Sequence, residues 1–212
     1  IFSLCKKNDK IRVVAADISP AGKLAELSKK KNKIFINVGV AETSMISICA
    51  GLALSGYKPF AYTIATFSLY RPFEMVRDDL CYQNLPVTIV GMGSGTIYST
   101  LGGTHMSQED IGIARCLPNM QVIAPWDSIE LKSSIHFLVK KSNSPTYLRI
   151  GKSGEKDLIF HESEKWKFGK IRKIKNGENI CLIGYGPVMK LFFEILKPLG
   201  EAGIKPSIYS SH

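Results

Sequence analysis

The chain has 212 residues, 45% of them hydrophobic and 22% charged, a balance typical of a globular protein with a real core. No apolar run is long enough to span a bilayer and no n-region precedes an h-region, so neither a membrane span nor a signal peptide is expected. The net charge of +10 comes with no helix-turn-helix, zinc-finger or RNP-type aromatic pattern, so nucleic acid is not the expected partner; an anionic small molecule suits a basic surface equally well.

In chain order, Ile11–Ala16 is strand-like, Ala21–Lys30 helical and Ile34–Val38 strand-like. A small-residue helix follows from Thr43 to Leu54. Pro59–Thr63 predicts a strand and Tyr70–Cys81 a helix, with Pro72 in its first turn. Pro86–Gly91 reads as a buried strand, Gln108–Arg115 as a short helix and Met120–Ala124 as a strand. Ser128–Lys140 is an amphipathic helix, and Pro145–Ile150 is the next strand. Continuous apolar strands separated by helical patterns imply an α/β fold, a mostly parallel sheet with helices on both faces.

After Ile150 the character changes. Gly151–Asn179 is polar and lysine-rich, and reads as a linker with a leading hairpin. Ile180–Gly184, a helix near Val188–Leu199 and a strand at Pro206–Tyr209 form a second β-α-β unit, too small to cover its own sheet. We therefore expect a domain over 1–151, a linker over 152–178, and the start of a second α/β domain over 179–212. The absence of an initiating Met adds to the expectation of a piece of something longer. Much of the positive charge sits in Lys29-Lys30-Lys31-Asn32-Lys33 and in Lys165–Lys175, a solvated helix end and a solvated strand or linker. Cys5, Cys49, Cys81, Cys116 and Cys181 are scattered, with no C-x-x-C pair and no His at metal spacing. Most sit in apolar segments, and they read as reduced core thiols of a cytoplasmic protein.

Glu42 stands at the junction of an apolar strand and a helix. A carboxylate there either stabilises the first helical turn or, desolvated among apolar neighbours, carries a proton. Gly91-Met92-Gly93-Ser94-Gly95 has G-x-G-x-G spacing, not the dinucleotide fingerprint, and is expected to be a flexible loop at a site. Gly184-Tyr185-Gly186 is a weaker signal of the same kind. Leu101-Gly102-Gly103-Thr104-His105 delivers a single histidine to the start of a helix. Phe67, Tyr70 and Phe73 recur at i, i+3 and i+6, with Phe67 expected just before the helix, at the strand's C-terminal end where α/β sheets bind ligands.

The ordered set Gly-x-Ala-Glu, small-residue helix, Thr-Phe-x-x-aromatic, Gln-Asn-Leu-Pro-Val, Gly-x-Thr-His, Leu-Pro-Asn-Met and Ala-Pro-x-Asp resembles the pyrimidine-binding domain of transketolase-like thiamine diphosphate enzymes, from Arg12 to Gly151. The resemblance implies that Glu42 hydrogen-bonds N1′ of the cofactor's aminopyrimidine and so helps remove the thiazolium C2 proton. It implies that Phe67, Tyr70 and Phe73 line that ring, that His105 acts on the intermediate and substrate, and that Arg149 lies near a substrate phosphate. The family's Gly-Asp-Gly…Asn motif, which holds Mg²⁺, does not occur in this sequence. The resemblance therefore implies a diphosphate-binding domain or subunit elsewhere, in a homodimer or heterotetramer acting on phosphorylated sugars.

Some residues depart from that pattern. Leu101 stands where sugar transketolases usually have Asp, and a second histidine expected near Met92–Gly93 is missing. Deoxyxylulose-phosphate synthases usually have an Arg at the place of Tyr70 and Asp-Gly-Pro-Thr-His at the loop. The alternatives are thus 1-deoxy-D-xylulose-5-phosphate synthase, a 2-oxo-acid dehydrogenase E1 β-type subunit, and a non-catalytic homologue.

Overall fold

The computed structural model describes residues 1–5, 7–18, 24–29, 33–152 and 163–212. Parts of the expected helix at Ala21–Lys30, of the lysine run and of the linker lie outside them. The chain divides into two compact units, Ile1–Val122 with Leu138–Ser153, and Ile123–Phe137 with Gly154–His212.

The first unit is built on a sheet of six strands, β1 (Ile11–Ala15), β2 (Phe35–Asn37), β3 (Lys58–Ile64), β4 (Thr88–Met92), β5 (Gln121–Ile123) and β6 (Thr146–Arg149), in the spatial order β2-β1-β3-β4-β6-β5. The pairings from β2 through β6 are all parallel. Central strands β1, β3 and β4 are almost wholly buried, which is why they read as largely apolar runs. The strand order reverses between β1 and β3, and in open α/β sheets ligands gather beyond the C-terminal strand ends at such a point.

Short helices α1 (Phe2–Cys5) and α2 (Leu24–Lys29) precede α3 (Glu42–Leu54). α3 buries Glu42, Met45, Ile46, Cys49, Ala50 and Ala53, the spacing of one helix face. That face joins Leu69, Val76, Leu80, Ile89 and Tyr147 in the main core. Each fully buried Ile or Leu contributes about 1.5–3 kcal/mol relative to exposure. Cys49 and Cys81 lie in this core, and burial pushes the Cys81 thiol up to about 11. Such thiols stay protonated and unreactive.

The helix expected over Tyr70–Cys81 is differently built. A short helix α4 (Ala65–Leu69) follows β3 directly, the chain turns through Tyr70–Pro72, and α5 (Phe73–Met75) runs into a wide-turned π-helical segment at Val76–Tyr82. Phe67 consequently lies inside α4 rather than before a helix. Pro72 lacks the N–H that a continuous helix would need, so the two pieces are out of phase.

The second unit contains β7 (Arg172–Lys175), β8 (Cys181–Gly184) and β9 (Ser207–Ser210) in the order β7-β9-β8. β7 pairs antiparallel with β9, and β8 pairs with β9 in parallel. Within this unit Glu130 is fully buried and is met by Arg172 Nη1 at 3.1 Å and Ser210 Oγ at 3.0 Å.

Candidate active site

Asn37, at the end of β2, accepts a hydrogen bond from the Gly39 N–H through Oδ1 at 2.9 Å. Gly39 turns with φ +71°, a conformation that favours glycine, and this tight turn starts α3 at Glu42. The first-turn position lets the helix dipole favour the carboxylate. Although Glu42 is only 4% exposed, it is not isolated: Arg71 Nη1 meets its Oε1 at 2.8 Å. The same guanidinium lies 4.4 Å above the centre of the Phe67 ring. The Arg71 side chain is 48% exposed, and ion pairs with so much water at one partner contribute about 0–1 kcal/mol.

α4 and the loops after β4 enclose a cleft of about 640 Å³ lined by Thr66, Phe67, Tyr70, Arg71, Thr104 and Glu109 among others. It lies past the C-terminal ends of β3 and β4. Thr66 Oγ1, on this lining, is buried without a hydrogen-bond partner. An orphaned hydroxyl, a half-buried aromatic face and a nearby buried carboxylate form a donor and acceptor set that fits a flat nitrogen heterocycle.

His105 ends a 3₁₀ turn at Gly103–His105 that starts from Gly102, φ +83°. Its ring stands edge-on to Phe67 with centroids 5.2 Å apart, and Nδ1 lies 3.0 Å from Thr104 Oγ1. Glu42, Phe67 and His105 are therefore brought together, Glu42 to Phe67 through Arg71 and Phe67 to His105 by direct ring contact. Tyr70 lines the cleft, where its hydroxyl donates to Glu109 Oε2 at 3.0 Å and accepts from the Glu109 N–H at 3.1 Å. Desolvation, and then the Glu109 bond, pushes this hydroxyl above the usual tyrosine range. Phe73 is placed elsewhere, packed against the main core and absent from the cleft lining.

The segment Gly91–Gly95 is less a loose loop than a fastened one. Ser94 Oγ donates to Ile150 O at 2.8 Å, and Gly95 and Ser107 exchange backbone bonds at 3.2 and 2.9 Å. A side chain at Gly93 would run into the Tyr98 ring, at a φ of +65°. Ser107 leads into α6 (Asp110–Arg115), whose Asp110 is fully buried. Asp110 Oδ2 accepts from Tyr147 Oη at 2.9 Å, Arg149 Nε at 2.9 Å and Ser107 Oγ at 3.3 Å. Arg149 is thus engaged by a carboxylate, with its side chain 12% exposed, and it does not line the cleft. Sequence reasoning missed both Arg71 and Asp110. Their only local signal is charge next to apolar neighbours.

Burial, then the Asp110 charge and the hydrogen bond to it, pushes the Tyr147 hydroxyl well above the usual range. The unfolded chain's tyrosine ionises at about pH 10 while the folded one stays protonated, so above that pH the native state binds more protons. The stabilisation is complete below about pH 10 and declines as pH rises further. Tyrosinate absorbance should therefore show a component released only on alkaline unfolding, to which Tyr147 and Tyr70 both contribute, and Tyr147→Phe should reduce it.

Residues 1–154 match the family described as transketolase, pyrimidine binding domain. The chain belongs to this family. It is 32% identical to a 1-deoxy-D-xylulose-5-phosphate synthase of Gloeothece citriformis, covering 100% of this chain and 33% of that relative. With one of the subunits of an apulose-4-phosphate transketolase of Phocaeicola vulgatus the identity is 29%, over 98% of this chain and 66% of the relative. A solved split-gene transketolase, an inactive β4 tetramer, superposes with a TM-score of 0.85 at 30% identity, over 99% of this chain and 66% of that one. The chain thus spans about a third of the synthase and about two thirds of the split-gene relatives. The α/β fold expected from the strand pattern is the fold of this family. Among the described residues no helix is long and apolar enough to cross a membrane.

Proposed function

We propose that this chain supplies the pyrimidine-side half of the active site of a transketolase-like enzyme, which uses thiamine diphosphate to move a two-carbon ketol unit between phosphorylated sugars. The observation that carries this reading is Glu42: a 4% exposed carboxylate in a first helical turn, tied through Arg71 to an aromatic-lined cleft. Glu42 would hold or move a proton at the ring nitrogen it faces. Phe67 would offer its face for stacking, with Tyr70 fixed beside it by Glu109. Thr66 Oγ1 would gain the partner it lacks. When bound, thiamine diphosphate supplies the electron sink for the carbanion. His105, braced by Thr104 and against Phe67, is placed to exchange protons with substrate oxygens. Arg149 and Asp110 would support the loop that carries His105, through the Asp110 bond to Ser107.

The diphosphate and its Mg²⁺ would be held by another domain or subunit, as expected for a split transketolase of the kind that this chain is similar to. The functional unit in this proposal is a homodimer or heterotetramer in the cytoplasm. The second reading, a 1-deoxy-D-xylulose-5-phosphate synthase, is favoured by the 32% identity over the whole chain. One experiment separates the two. The protein assembled with its diphosphate-binding partner is supplied with thiamine diphosphate, Mg²⁺ and either ketose phosphate with an aldose phosphate acceptor, or pyruvate with glyceraldehyde 3-phosphate. Ketol transfer from the first pair supports the proposal. Turnover of the second pair alone replaces it with the synthase, and no cofactor-dependent turnover of any pair removes both.

A further inference from the structure

Arg71 touches the two groups that the proposed cofactor ring would use. Its Nη1 meets Glu42 Oε1 at 2.8 Å, and its guanidinium carbon sits 4.4 Å over the Phe67 ring centre. A guanidinium is flat, cationic and rich in donors. It therefore mimics an aminopyrimidine at both positions, donating to the carboxylate and stacking on the aromatic face. A ring cannot stack on the face of Phe67 that the guanidinium covers, nor take the Glu42 oxygen that Arg71 holds. We propose that Arg71 is a gate on the cofactor seat: it occupies the ring's place in the free protein and is displaced when the ring enters. The inference rests on the reading of Glu42 and Phe67 as the ring seat.

The setting suits a gate rather than a fixed strut. Glu42 and its helix are rigidly packed, whereas Arg71 lies in the turn between α4 and α5, with about half of its side chain in water. The long side chain can leave toward solvent without opening the core. Among the described residues that line the cleft, Arg71 is the only lysine or arginine, so no other cation of the lining would take its place on Glu42. Closure also gives the buried carboxylate a partner while no ligand is bound, which limits the cost of burying it.

A gate that must open reduces apparent affinity by the fraction of molecules open, and removing it returns that factor. In the protein assembled with its diphosphate-binding partner, Arg71→Ala should tighten thiamine diphosphate binding, measured calorimetrically with Mg²⁺ present, by roughly 3- to 10-fold. The gain should lie in a faster association rate, followed by stopped flow. Added salt, which screens the half-exposed pair, should speed association in the unsubstituted protein and not in Arg71→Ala. In a Glu42→Gln background the effect of Arg71→Ala should shrink, because the gate has lost its charged latch. Arg71→Lys keeps the charge without the flat stack and should fall between the two. Binding that Arg71→Ala leaves unchanged or weakens, in a variant whose thermal unfolding matches the parent, overturns the gate alone. A parent assembly that fails to bind the cofactor overturns the proposed function and the gate with it.

Discussion

Glu42→Gln is expected to lower thiamine diphosphate-dependent turnover of the assembled enzyme by about 10²–10⁴-fold, the range contributed by a positioned proton carrier. Gln keeps the size and a hydrogen-bonding oxygen of Glu but cannot take up or release a proton. The loss should therefore fall on kcat at saturating cofactor, with smaller changes in substrate KM. Stability should change little. Arg71, left without its carboxylate, has 48% of its side chain in water and is rehydrated at small cost. Comparing kcat with the urea midpoint of the same preparation checks both statements. Undiminished turnover would remove Glu42 from the chemistry and leave it as a first-turn acid paired with a surface arginine.

The second large effect is on stability, at Asp110→Ala. This carboxylate is fully buried and collects the Tyr147 hydroxyl, Arg149 Nε and Ser107 Oγ on one oxygen, and the Ile111 N–H at 2.9 Å on the other. Removing one partner of a buried ion pair typically costs about 3–5 kcal/mol, since the remaining charge loses that compensation. A lower urea midpoint at unchanged slope is the expected result. Asp110→Asn keeps the volume and one acceptor and should cost less. Tyr147→Phe in the Asp110→Ala background should add less than it does alone, because the hydroxyl's partner is already gone. Full additivity would mean that the two groups do not act as one network. The variant should also loosen the Gly95–Ser107 pairing, and with it the loop ending at His105, so activity should fall faster than stability alone explains.

Much of the scaffold was legible because the physics of these elements is local. β1, β3 and β4 are buried on both sides, so their sequences are largely apolar. Ser128–Lys140 occupies the predicted span. Glu42 stood out because a carboxylate between an apolar strand and a small-residue helix contrasts with its neighbours. The phase of the aromatics was not legible. An i, i+3, i+6 pattern presumes one unbroken helix, and the turn at Tyr70–Pro72 carries Phe73 against the core while Phe67 remains on the cleft. Nor was the partner of β7 legible, since a lysine-rich linker signals no particular neighbour, whereas β9 offers it an edge.

By itself, then, the sequence determined the α/β layering, the strand-to-helix junction at Glu42 and the glycine-framed histidine, all set by short-range periodicity and backbone constraints. The tertiary structure alone decided which charges meet. Arg71 reaches Glu42 across 29 positions of chain, and Arg149 reaches Asp110 across 39. Such partners are selected when strands and helices pack and each buried charge must find a counter-charge. That requirement paired the arginine expected near a phosphate with Asp110. It also placed a different arginine over the aromatic face beside Glu42.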